Sequence, residues 1–281
     1  MERPGIKDFD VDPTFSFNLF LDDAEALLGK RKLVILIDEF EVLEQKVKEH
    51  ALDPEIFEYL RSLMQHRHRV NFLVAGTHSI EQLTADYWSV FFNIARHHRL
   101  RKLSADAATQ LIVQPVKGYL EYDPFAVIKI RQLTANQPYL IHLVCRSLVE
   151  HANLLQKSYM TINDVNIVLD GVIETGKTHF GWIWDQISLE ERLVLSVIAQ
   201  EGKQEGGMVS LTEIEDTFKH FGLVFNRKRL IQAVQNLIDK DVIISGPDGT
   251  QYKVLMGLTH LWLQKNKSLG RVMLEENLLP E

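Results

Sequence analysis

The spacing of apolar positions changes several times along the chain, and each change predicts a different kind of element. From Phe15 to Leu28 apolar residues recur at helical intervals and stop at Gly29, which predicts a helix ended by glycine. "KLVILIDEF" (32–40) is a continuous apolar run with β-branched residues. Such a run predicts a strand buried on both faces, as in a parallel sheet. Pro54 opens another helix, with Ile56, Phe57, Leu60, Leu63 and Met64 on one face. "VNFLVAGT" (70–77) predicts a second buried strand, residues 79–92 a helix, and the alternating "HRLRKL" (98–103) a short third strand near a sheet edge. Helices between strands imply right-handed crossovers and a parallel α/β layer.

After Leu103 the pattern is helical. Ser104 is placed to cap "ADAATQLIVQPV", and "DPFAVIKIRQLTA", "QPYLIHLVCRSLVEHANLL" and "TINDVNIVLDGVIETG" predict three more helices, together a small bundle. From about Asp185 it changes again. "SLEERLVLSVIAQEG" has Ser188 and Glu191 at capping-box spacing, and two further helical stretches, "SLTEIEDTFKHFG" and "NRKRLIQAVQNLIDKD", follow. "VIISGPDGTQYKVL" is two short alternating runs around Pro-Asp-Gly, a hairpin signal. Three helices and a two-stranded wing make a winged-helix pattern, and a last helix would pack Leu258, Leu261, Trp262 and Leu263. The expected organisation is an α/β core over 1–103, a helical bundle over 104–180 and a winged-helix domain over 181–281.

Composition narrows the class. At 281 residues with 46% hydrophobic and 25% charged side chains, the chain can build two or three ordinary globular cores. A formal net charge of −7 gives it no overall pull toward nucleic acid or an anionic membrane. The single cysteine, Cys145, lies in an apolar stretch and reads as a buried structural thiol. With no cysteine pair, Cys/His cluster or secretory leader, the cytoplasm is the expected compartment. No apolar run approaches the ~18 residues of a membrane span. The opening "MERPGIKDFDVDPTF" has neither strand nor helix period and reads as if the chain were entered mid-domain.

Two stretches carry nucleotide signatures. "GVIETGKT" (171–178) fits the phosphate-loop pattern of Gly, four residues, then Gly-Lys-Ser/Thr. A phosphate loop needs a strand before it and a helix starting at its Lys end, so that amide N–H groups and the helix N-terminus converge on the anion. Here Ile162, Val165, Val168, Leu169, Val172 and Ile173 keep helical spacing, and Thr161 with Asp164 gives a helix start. The stripe predicts a helix running through Gly171 to Gly176, and Glu174 would bring a carboxylate to the phosphates. The match is therefore read as accidental.

"LVILIDEF" (33–40) is better placed. Two acids at the end of a buried strand stand where ligand sites form in α/β sheets. Asp38 would orient Mg²⁺, mostly through coordinated water, and Glu39 would polarise the water that attacks a γ-phosphate. The plainer alternative is a strand ending in solvated acids. The next strand ends "LVAGTHS", whose Thr77 or His78 could sense the γ-phosphate, or could be surface groups of a turn that needs Gly76.

Taken together, "LVILIDEFEVLEQKV", "VNFLVAGTHSIEQL", "LRKLSADAATQLIVQPV" and "LTANQPYLIHLVCRSLVEHAN" resemble the STAND and AAA-type P-loop ATPases of prokaryotes. The resemblance continues through "TINDV" and the winged helix. It implies an α/β NTPase core, a helical lid over 104–180 and a winged helix, acting with ATP and Mg²⁺ as a nucleotide-controlled switch that signals to protein partners. It makes Asp38 and Glu39 the Walker B acids and places Thr77 at the sensor tip. "NQP" (136–138) resembles the Gly-x-Pro lid element that lies against adenine, with Pro138 as its proline and Asn136 in place of the glycine; without the family, Pro138 would simply begin an apolar helix. The family's phosphate loop precedes the Walker B strand, normally by well over fifty residues. Only about thirty residues precede it here, and they hold no Gly-Lys-Ser/Thr. The chain is then a fragment or a degenerate relative, expected to hydrolyse ATP weakly or not at all by itself.

Arg227, Lys228 and Arg229 open the third helix of the winged-helix pattern, where DNA-binding members are basic. Yet residues 185–281 hold eleven Lys/Arg against fourteen Asp/Glu, a net −3. Affinity for DNA accumulates from phosphate contacts, so a protein-facing role is the first reading. A DNA-binding regulator or origin-initiator-like ATPase is the alternative, and a catalytically inactive scaffold a third.

Overall fold

The computed structural model describes residues 12–76, 94–96, 98, 100–202 and 207–278. By contacts the chain divides into two units, 1–100 and 101–281.

In the first unit, Asp12 caps helix α1 (Pro13–Leu28) by accepting the Phe15 N–H, and Gly29 ends it at φ 61°, a conformation glycine adopts without strain. Strand β1 (Leu33–Ile37) leads through a turn into a short helix, α2 (Val42–Lys48), then α3 (Glu55–His66) and β2 (Val70–Val74). The strands pair in parallel, Leu33 opposite Val70 through Ile37 opposite Val74, the product of one helical crossover. Leu21 of α1 and Leu63 of α3 bury against Val70, with Leu33, Ile35 and Phe72 around them. A second cluster joins Phe40, Val47, Phe57 and Leu60. Each such side chain contributes about 1.5–3 kcal/mol on leaving water.

Two expectations need revision here. The strands are not buried on both faces: Val34 is 53% exposed, Leu36 70% and Leu73 63%. The two buried clusters lie on the side of Leu33, Ile35, Ile37, Phe72 and Val74, so continuous hydrophobicity overstated the covering. No strand forms at residues 98 and 100–103, where the Leu103 N–H donates to the Asn136 carbonyl at 3.1 Å instead of to a sheet. Helix α2 was unexpected. The helix expected over 79–92 lies outside the described residues.

The second unit begins with α4 (Ala105–Val113), capped by the Ser104 hydroxyl as the sequence indicates. A two-residue strand β3 (Glu121–Tyr122), helices α5 (Pro124–Thr134) and α6 (Pro138–Leu155), strand β4 (Tyr159–Met160) and helix α7 (Ile162–Thr175) follow, with β3 and β4 parallel. Helix α7 opens on a full capping box in which Thr161 and Asp164 each satisfy the other's backbone. It runs through Gly171 with Val172 and Ile173 buried, and Gly176 ends it, so "GVIETGKT" is helix and not a phosphate loop. Gly176 sits at φ −82°, not in the left-handed region. It is needed for space, since a Cβ there would lie 2.8 Å from Phe180 Cε2 and 3.0 Å from Leu143 Cδ2.

Helix α8 (Lys177–Asp185) and the capping-box helix α9 (Leu189–Glu201) come next. After them stand β5 (Val209–Ser210), α10 (Leu211–His220), α11 (Arg227–Asp239) and the hairpin β6 (Ile243–Ser245) and β7 (Gln251–Val254). Its strands join in the antiparallel order β5-β7-β6. Helices α12 (Gly257–Asn266) and α13 (Leu269–Glu275) complete the described chain; α12 buries Leu258, Trp262 and Leu263, with Leu261 at its margin. One continuous cluster of buried side chains runs from Ala108 to Met273, across the expected boundary near residue 180. Gly257 marks a tight seam in it: a Cβ there would stand 3.0 Å from the Leu133 Cα. Cys145 is half-buried, and burial pushes its thiol up to about 11, so it stays protonated at neutral pH. No helix among the described residues is long and apolar enough to cross a membrane.

Candidate functional site

Pairing between β1 and β2 extends past their last residues. The Ala75 N–H donates to the Ile37 carbonyl and the Phe40 N–H to the Ala75 carbonyl, both at 2.9 Å. Between these two bonds the chain must bulge outward, and it does so at Asp38 and Glu39. Glu39 has φ 49°, in the left-handed region that favours glycine. Its N–H is held by Asp38 Oδ1 at 2.9 Å, and its carbonyl accepts the Val42 N–H at 2.9 Å. Phe40, 3% exposed, plants the far side of the turn among Val47, Phe57 and Leu60. Both carboxylates are exposed at the carboxyl end of β1, and the Glu39 side chain makes no hydrogen bond or ion pair among the described residues.

The turn has a neighbour that sequence spacing did not single out. Glu41 is half-buried, and a Cβ on Gly76 would lie 2.3 Å from Glu41 Oε2. The Glu41 carboxylate therefore lies directly over the tip of β2. The only sequence signal was a third acid in "DEFE". Thr77 and His78, which follow this tip, lie outside the described residues.

Pro138 belongs to the second unit, where it is the first residue of α6. The preceding turn is built from two consecutive left-handed residues, Ala135 at φ 47° and Asn136 at φ 61°. Asparagine tolerates that region better than other non-glycine residues, which accounts physically for Asn136 in a place the resemblance gives to glycine. Its carbonyl takes the Leu103 N–H, and its side-chain oxygen accepts from Arg131 Nε at 3.3 Å. Beside it, Tyr139 packs on His179 at 4.9 Å between ring centroids, and burial lowers the His179 pKa. Asp38 and Glu39 thus stand together in the first unit and Pro138 in the second.

Among the described residues no three His, Cys, Asp or Glu side chains form a cluster able to hold a metal ion. Mg²⁺ keeps much of its water and is held by one or two carboxylates together with substrate phosphates. Asp38, exposed and with only one oxygen engaged, has the donor such an ion would use.

Residues 18–202 match the family model described as Novel STAND NTPase 2. The Walker-type ATPase paby2304 of Pyrococcus abyssi superposes with a TM-score of 0.56 at 12% identity, over 93% of this chain and 69% of that one. At that identity the likeness is one of fold. The ORC2 protein of Aeropyrum pernix, in ADPNP-ADP complexes, gives 0.45 at 11% over 94% and 71%, and Cdc6p from Pyrobaculum aerophilum 0.40 at 15% over 98% and 73%. No curated protein matches the sequence. With the family model covering about two thirds of it, the chain belongs to the Novel STAND NTPases, within the STAND and AAA-type P-loop ATPases.

Proposed function

We propose that this chain supplies the Walker B turn, the lid and a winged helix of a regulatory ATPase, a switch set by ATP and Mg²⁺. The observation that carries this reading is Glu39: a non-glycine residue held at φ 49° with its carboxylate pointing free. Residues held in sparsely populated backbone regions cluster at active sites and switch regions. Asp38 would hold the magnesium ion, which when bound neutralises phosphate charge. Glu39 would orient the attacking water and accept its proton. Thr77 or His78 would sense the γ-phosphate, and Pro138 would lie against the adenine.

The one Gly-Lys-Ser/Thr in residues 1–281 is helical, so it offers no amide cradle. ATP turnover by this polypeptide alone is therefore weak or absent. Purified 1–281 should release phosphate at the background rate, unchanged in Glu39→Gln. Supplied with a strand and Gly-Lys-Ser/Thr loop ahead of β1, it should turn over ATP, and Glu39→Gln should abolish that turnover. Brisk hydrolysis by 1–281 that Glu39→Gln removes would sink the claim of a missing cradle. Full activity of Glu39→Gln in the longer chain would sink the dyad.

Helices α9–α11 with the β5-β7-β6 sheet would form the winged helix. Arg227 favours a protein-facing role, because it gives its guanidinium to both oxygens of Glu215, at 2.8 and 2.9 Å. Lys240 is likewise engaged, by Glu191 at 2.7 Å. A salt-dependent gel shift with duplex DNA at physiological ionic strength would reverse this reading in favour of a DNA-binding regulator.

A further inference from the structure

The glycine at 76 has no conformational reason to be glycine: its φ lies outside the left-handed region. What it lacks is a side chain, and the space that side chain would take is filled by one group. An ideal Cβ meets Glu41 Oε2 at 2.3 Å, Cδ at 3.2 Å and Oε1 at 3.7 Å. The contact closes a short loop of structure. Ile37 and Phe40 are bonded to Ala75, Glu41 rests on Gly76, and Asp38 and Glu39 are the two residues enclosed. Helix α2 begins immediately after, so the Glu41 backbone is anchored from behind.

We infer that Glu41 is a positioning residue: its carboxylate, seated on Gly76, fixes the turn of Asp38 and Glu39 to the tip of β2. The role assigned to that turn rests on the function proposed above. The seat itself rests on the geometry alone. Glu41 ends in a flexible side chain, so a methyl group at 76 would displace the carboxylate rather than break the fold. Displacing the carboxylate and removing it therefore act on the turn in the same direction. The turn loses its outer support, and the Phe40–Ala75 bond opens more often.

The test is a double-mutant cycle on residues 1–281, read by amide hydrogen exchange at Phe40 and by the amide shifts of Glu39 and Ala75. Gly76→Ala and Glu41→Ala should each speed Phe40 exchange by about tenfold and move the same amide signals in the same direction. Because the methyl group of Gly76→Ala acts through the Glu41 carboxylate, adding it to Glu41→Ala should change exchange by no more than about twofold. Glu41→Gln, which keeps the size and one oxygen, should stay near the parent on both readouts. Additive effects in the double variant, or a Gly76→Ala spectrum with Glu39 unmoved, would overturn the inference. Phosphate release in the loop-bearing chain is the separate arm. If Glu39→Gln is fully active there, the assignment of the dyad fails, while a non-additive cycle still upholds the seat of Glu41.

Discussion

Replacing Glu39 by glycine should stabilise the protein while removing the group we assign to chemistry. An L-residue in the left-handed region costs about 1–2 kcal/mol relative to its preferred conformations. Glycine would relieve that cost, and would return roughly 0.5–1 kcal/mol through its freer unfolded chain. The Glu39 carboxylate makes no hydrogen bond or ion pair among the described residues that would be lost, and the Asp38 bond is to the Glu39 N–H, which glycine keeps. The net expectation is a gain of about 0.5–1 kcal/mol. With a urea dependence of about 2 kcal/mol per molar for a unit of this size, the midpoint of the first unit should rise by about 0.3–0.5 M. The assay is urea unfolding of 1–281 followed by hydrogen exchange at the β1 and β2 amides, which report this unit separately. Glu39→Val should go the other way, since β-branched residues fit the left-handed region worst. A Glu39→Gly midpoint lower than the parent's by 0.5 M or more would refute the reasoning. It would mean that the Glu39 carboxylate serves the fold rather than the chemistry.

Other expectations concern the second unit and the open sheet face. Asp164 is 2% exposed; burial alone would raise its carboxyl, but the Thr161 N–H, Lys157, the Thr161 hydroxyl and His151 outweigh burial and hold it well below the usual carboxylate range. Its contribution is thus complete above the unfolded value near 3.9 and is lost as pH falls through the depressed folded one. Asp164→Asn should cost about 2 kcal/mol at pH 7 in chemical denaturation, with the difference from the parent shrinking below about pH 4. A gap that stays constant down to pH 2 would contradict this. Gly257→Val should cost about 2–3 kcal/mol, because its Cβ would meet the Leu133 backbone, which cannot rotate away. A melting temperature within 1 °C of the parent's would be the wrong result. Leu36→Lys, at a position 70% exposed, should change stability by no more than about 0.5 kcal/mol despite lying in the middle of an apolar strand.

The elements themselves were legible in the sequence where local rules act alone. Ser104, Thr161 and Ser188 cap the helices they announce, and the Pro-Asp-Gly turn makes its hairpin. The helical stripe through Gly171 correctly outweighed a motif match, because a phosphate loop is a geometry and not a string of letters. Burial was less legible. Leu33 to Ile37 are all apolar, yet only one face meets α1 and α3, and hydrophobicity records what a residue tolerates, not what lies above it. The short pieces, α2, β3, β4, α8 and α13, gave too few periods to be told from loops. Around the dyad, the strand end was visible, but the left-handed turn and the Glu41 seat were not. Both depend on what β2 brings alongside, thirty-odd residues downstream.

The seam at Gly257 has a mechanical consequence. Leu133, the residue it presses on, lies two positions before Ala135 and Asn136, the pair that bends the chain toward Pro138. The glycine leaves no side chain between its own backbone and that of Leu133. Any side chain added at 257 would therefore press on backbone that leads directly into that bend.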